Sequence, residues 1–110
     1  MNFNVLVTRP FQRKIKKLAK KYPSIKNDLA QIIDELLNNP TIGTALGNNC
    51  FKIRVAIKSK GKGKSGGARM ITFVRFENHT VFLLDIYDKS EQDTISDEEL
   101  EFLIKLLADN

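Results

Sequence analysis

The 110-residue chain holds one cysteine and one histidine, and each shortage closes off a class of protein. Cys50 has no partner for an internal disulfide, and no zinc-type spacing of cysteines and histidines exists, so a structural metal is not expected and a reducing compartment is. No apolar run approaches the roughly 18 residues needed to span a bilayer. The N-terminal MNFNVLV lacks the basic start and long apolar centre of an export signal, so a cytoplasmic protein without membrane attachment is expected. Acidic residues are missing from two stretches, Arg9 to Lys26 and Cys50 to Arg75, and gather instead between Glu77 and Asp109. The net charge of +5 therefore understates the segregation. Basic surfaces of this kind attract phosphate backbones or an acidic protein partner, although lysines that merely keep a face solvated would look the same.

A chain of this length buries on the order of two-thirds of its unfolded surface, enough for one core, and a single domain spanning 1–110 is expected. The stretch Cys50 to Arg75 organises the rest. Alternation places Phe51, Ile53, Val55 and Ile57 on one side of a strand and Lys52, Arg54, Ala56 and Lys58 on the other. A partner strand, Ala68 to Phe76, sets Met70, Thr72, Val74 and Phe76 against Arg69, Ile71, Phe73 and Arg75, and periodicity does not say which side is buried. The two read as an antiparallel hairpin closed by a long loop.

Upstream, Phe3 to Val7 reads as a short strand, with Thr8 as a cap for the helix after it. Phe11, Ile15, Leu18 and Tyr22 form one stripe of a basic amphipathic helix from Pro10 to Lys21. Tyr22-Pro23 stops it, and Ser24 is expected to open a second helix with Ile25, Leu29, Ile32, Ile33 and Leu36 facing inwards, so the two fold back as a hairpin. Thr41 to Asn49 reads as a loop. Downstream, Val81 to Tyr87 is apolar on both sides, as in a strand covered on both faces or at the centre of a sheet. Ser96-Asp97-Glu98-Glu99 is a capping box before a last helix with Leu100, Leu103, Ile104 and Leu107 inwards.

The loop Lys60-Gly61-Lys62-Gly63-Lys64-Ser65-Gly66-Gly67 contains the triplet Gly63-Lys64-Ser65, but it is not a nucleotide-triphosphatase loop. That motif needs glycine where Lys58 stands, and a helix after it rather than a strand. Flexible backbone with Lys58, Lys60, Lys62 and Lys64 suits a polyanion such as RNA; a solvated hairpin loop is the plainer alternative.

Taken together, the basic helical hairpin, CFKIRVAIKSKGKGKSGGARMITF and VFLLDIYDKSEQDTIS resemble the RelE/ParE superfamily of bacterial toxin-antitoxin toxins, and within it the pattern is most similar to the HigB-like branch. KIR before the loop, GKGKSGGAR and IYDKSE are its most specific pieces. The resemblance implies an α+β fold, with an N-terminal strand and helical hairpin packed on a small twisted antiparallel sheet, plus a short C-terminal helix. It also implies a toxin that cleaves messenger RNA in the ribosomal decoding site without metal or cofactor. Lys52 and Arg54 match the basic pair on a central strand of these toxins, Arg69 the arginine at the start of the next strand, and Lys89 a cation after the last one. The tyrosine some of them carry near the C-terminus has no counterpart, since Thr94 and Ile95 stand there and Tyr87 comes too early.

Cleavage through the 2′-hydroxyl requires taking its proton, stabilising the phosphorane and protonating the 5′-oxygen. Like charge around an ammonium favours its neutral form, so a lysine among cations can act as base, the role expected of Lys52. Arg54 and Arg69 would hold the phosphate by fork-like hydrogen bonds, and Lys89 is the candidate acid. His79, the lone histidine, falls in a turn at the far end of the sheet, and no histidine pair is available. So weakly armed a site implies dependence on the ribosome for geometry. A cognate antitoxin, of helix-turn-helix type in the HigB-like branch, is the implied partner. Two other readings stand beside this one: a ParE-like inhibitor of DNA gyrase, and a catalytically decayed RNA- or antitoxin-binding relative.

Overall fold

The computed structural model describes residues 2–61 and 63–108. After β1 (Asn4–Val7) come helices α1 (Arg9–Lys21) and α2 (Ile25–Asn38), then β2 (Thr44–Gly47), β3 (Cys50–Val55), β4 (Ala68–Arg75), β5 (Thr80–Asp88) and helix α3 (Asp97–Ala108). The strands form one sheet in the order β1-β5-β4-β3-β2, an α+β architecture. β2 to β5 are antiparallel neighbours, whereas β1 adds to β5 in parallel. Parallel pairing needs a long crossover, and here the chain between the two strands includes both helices.

Each helix has its origin in the local sequence. Thr8 caps α1, its Oγ1 accepting from the Phe11 amide at 3.4 Å, and its hydroxyl also donates to the Leu83 carbonyl at 2.7 Å. The apolar stripe of α1 and that of α2 meet Val55, Met70, Val74, Val81, Leu83 and Ile86 in one core on the first face of the sheet. On the second face, Cys50, Ile71, Leu84 and Tyr87 pack under Ile95 and the α3 side chains Leu100, Leu103 and Leu107. Ser96 caps α3, accepting from the Glu99 amide at 3.1 Å. β4 and β5 are thus buried on both sides, which explains why their patterns read as continuous rather than alternating. β5 keeps Leu83 and Ile86 on the same core only because an extra residue, Leu84, is accommodated where the register shifts opposite Ile71/Thr72.

One expectation needs correction. The stretch 41–49 is not all loop: Thr44 pairs with Lys52 and Ala45 with Phe51, and the chain turns at Asn48 and Asn49, both at positive φ (53° and 62°). Two left-handed asparagines make the mirror-image turn that suits the twist of a hairpin, and this was the overlooked signal. Ser24 does open α2, its carbonyl accepting from the Asp28 amide at 2.9 Å, but its side chain makes no capping bond. Its backbone is helical, and its hydroxyl donates to the Asp28 carboxylate at 2.7 Å while accepting from the Ser59 amide at 2.8 Å. Asp28 also accepts from the Lys58 amide at 3.1 Å, so the start of α2 is tied to the chain leaving β3.

The hairpin loop closes at Gly67, where backbone meets backbone: a Cβ there would lie 2.0 Å from the Val55 carbonyl oxygen. Gly67→Ala is expected to cost on the order of 3 kcal/mol, since the obstacle is main chain and not a movable side chain. Urea unfolding would read this as a lower midpoint, and an unchanged midpoint would mean the loop base relaxes freely.

Candidate functional site

Strand pairing decides which cations meet. Lys52 and Arg54 share a face of β3, and Arg54 stands directly opposite Arg69 on β4, which stands opposite Tyr87 on β5. All three basic side chains therefore rise from the second face of the sheet, beyond the apolar cluster under α3 and toward the hairpin loop. The segment that leaves β5 passes beside them and contributes Lys89, whose amide is fixed to the Gly67 carbonyl at 3.0 Å. The result is an open cleft of about 480 Å³ walled by Lys52, Arg54, Arg69 and Lys89, with Thr44, Asp93 and Thr94 completing it.

These cations are held in different ways. Arg54 is exposed and Lys52 half-buried, and among the described residues neither has an ion-pair or side-chain hydrogen-bond partner. Arg69 is only 5% exposed; its guanidinium donates to the carbonyls of Lys64 (2.9 Å), Ala68 (3.1 Å) and Ser65 (3.3 Å). It thus orders the returning limb of the loop while facing the cleft. Lys89 pairs with Asp93 four residues on. The Asp93 carboxyl is held below its usual range, first by the hydrogen bond and charge of Lys89, with Lys52 and Arg69 adding to the effect.

The loop lysines divide. Lys58 and Lys64 line a second groove on the far side of the basic pair. Lys60 turns away into a buried ion pair with Asp88 at 2.6 Å, its side chain 9% exposed, and sits 5.4 Å from the centre of the Tyr22 ring. It is a tie within the fold rather than a free cation. Lys62 lies outside the described residues. Asp88, 2% exposed, also accepts from the Tyr22 hydroxyl at 2.6 Å and from the Ser90 hydroxyl at 2.7 Å and amide at 3.0 Å. This clamp locks the end of β5 to the helix junction and to the loop, immediately before Lys89. His79 closes the turn between β4 and β5, at the end of the sheet remote from the cleft, with a T-shaped contact to Phe3. Burial pushes the Cys50 thiol up to about 11, which removes it as a nucleophile.

Asp93, Thr44 and the Asp88 clamp were not anticipated from the sequence. For Asp93 the signal was its spacing of four from Lys89; for Thr44 it was the unrecognised strand; for Asp88 there was none, because its partners Tyr22 and Lys60 are remote in the chain.

A small mixed sheet thus carries a helical hairpin on one face and a third helix on the other, with a cationic cleft at the hairpin end. The model of the RelE toxin of the RelE/RelB toxin-antitoxin system matches residues 5–109, and the chain belongs to that family. Among solved structures it is similar to an arginine-to-alanine double mutant of the E. coli toxin RelE in the free state, with 18% identity, a TM-score of 0.64, and coverage of 96% of this chain and 97% of the other.

Proposed function

We propose that this toxin is a ribosome-dependent endoribonuclease that cleaves messenger RNA and so stops translation. The observation that carries the reading is the convergence of Lys52, Arg54, Arg69 and Lys89 on one cleft. A scissile phosphate there would be gripped by Arg54 and by the cleft-facing side of Arg69, and the extra negative charge of the phosphorane would be met by groups already in place. Lys52 takes the proton from the 2′-hydroxyl as that oxygen bonds to phosphorus. The bond to the 5′-oxygen breaks, Lys89 supplies the proton to it, and the products are a 2′,3′-cyclic phosphate and a free 5′-hydroxyl. Asp93 orients Lys89 for this step. The guanidinium groups provide the positive charge, so the reaction as drawn requires no metal.

No imidazole stands in the cleft, so much of the rate must come from RNA held in a bent, reactive geometry, which the ribosome supplies. A cognate antitoxin with an acidic segment complements the basic surface, and the HigB-like pattern suggests that it carries a helix-turn-helix domain. The test is a translation extract programmed with a reporter message, with message ends mapped beside a sample of the same RNA without ribosomes. Cleavage on ribosomes at least about a hundredfold faster than on free RNA is expected. Equal rates on both, or blocked gyrase supercoiling with intact message, would overturn the proposal.

A further inference from the structure

A second groove, about 570 Å³, shares Thr44, Lys52 and Arg54 with the cleft and opens on the other side of that basic pair. It exists because β2 begins pairing only at Thr44–Lys52, which leaves the outer edge of β3 past Lys52 without a neighbouring strand. Helix α2 and the segment entering β2 close over this edge. Gly43 permits the approach: with φ of 101°, a Cβ there would lie 2.4 Å from the Lys52 carbonyl oxygen.

The groove's walls differ in charge. On one side stand Lys52, Arg54, Lys58 and Lys64; on the other, α2 presents Gln31 and Glu35; Ile32, Ile42 and Ile53 lie between. Among the described residues, the side chains of Glu35, Gln31, Lys58 and Lys64 have no ion-pair or hydrogen-bond partner, so the two walls do not neutralise each other across the gap. Asp28 Oδ2 accepts from the Ser24 hydroxyl and the Lys58 amide at the groove's end, while its buried Oδ1 has no hydrogen-bond partner among the described residues and adds a second acceptor to the α2 wall.

A ligand that satisfies both walls carries an anion at one end, a flat apolar body, and N–H donors at the other end. A nucleotide has this layout. Glu35 is an acceptor-only group with two oxygens, and the base edge that offers it two adjacent donors, N1–H and N2–H₂, is that of guanine. We propose that the groove is a base-binding subsite for a guanine nucleotide adjoining the phosphate held by Lys52 and Arg54. The subsite deepens the nuclease reading and rests on it for its role, since the shared basic pair would grip the linkage while α2 reads the neighbouring base.

The purified full chain titrated with each of the four ribonucleoside 3′-monophosphates and with inorganic phosphate, followed by amide chemical shifts, tests this without ribosomes. Guanosine 3′-monophosphate should bind about tenfold tighter than the cytidine and uridine compounds, with shifts at Gln31, Glu35 and Ile42. Glu35→Gln should erase that preference and leave inorganic phosphate binding unchanged; Glu35 is exposed and its side chain is unbonded among the described residues, so the fold is retained. Equal affinity for all four nucleotides, or shifts confined to Arg69, Lys89 and Asp93, would overturn the subsite. Message cleavage without guanine preference would do so while sparing the nuclease reading, whereas selective guanine binding by a chain that cuts nothing would sink that reading and keep the subsite.

Discussion

Cells induced to make the Lys52→Ala, Arg54→Ala double variant are expected to grow at the uninduced rate, with new message ends absent, while the variant accumulates as a folded protein. Each fixed cation removed from a developing phosphorane costs on the order of 10²–10³ in rate, so losing two takes cleavage below what arrests growth. The fold should not suffer. Neither side chain has an ion-pair partner among the described residues, and Arg54 faces Arg69 directly across the β3–β4 ladder. Like charges at such a position repel, so Arg54→Ala alone should hold the melting temperature level or raise it slightly. Lost activity with undiminished stability is the mark of a group kept for chemistry. Continued arrest by the double variant would remove the cleft from consideration.

The largest effect on stability is expected from Asp88→Ala. Its carboxylate is enclosed and accepts from Lys60, Tyr22 and Ser90, so truncation leaves a buried ammonium and a buried phenol without their acceptor. Breaking a buried pair from one side costs about 3–5 kcal/mol. For a domain of this size the melting temperature should fall by on the order of 10–20 °C. Because the whole pair is the expensive unit, Asp88→Asn combined with Lys60→Met should recover much of the loss, and a double-mutant cycle would measure the coupling.

The clamp also fixes the direction of the acid response. Burial alone would raise the Asp88 carboxyl, but the hydrogen bonds from Lys60, Tyr22 and Ser90 outweigh it and hold the group well below the ordinary carboxylate range. A depressed carboxyl stabilises the fold fully above its unfolded value, roughly pH 4, and that contribution drains away as pH falls further. Wild-type stability should therefore decline steeply below about pH 4, and Asp88→Asn should show a shallower decline. Parallel acid unfolding curves for the two would mean the network holds little energy.

What could be read in advance depended on whether a feature was local. The stripes of α1, α2 and α3 and the alternation of β3 repeat within a few residues, so their faces were legible, and with them the placement of Lys52 beside Arg54. The β2 strand was not, because its evidence is one left-handed turn and its partner lies across that turn. Ser24 looked like a cap because serine before a helix usually is one, but Asp28 and Ser59 compete for its hydroxyl here.

The order of residues along the chain determined the helices, the basic central hairpin and the candidate cations, since periodicity and composition are properties of neighbours. Only the tertiary structure decided that Arg69 and Lys89 join Lys52 and Arg54 in one cleft, that Lys60 is drawn away to Asp88, and that a groove with an acidic wall opens beside the pair. Strand register and long-range closure set those distances, and electrostatic grip on an anion depends on distance, which one-dimensional spacing does not encode.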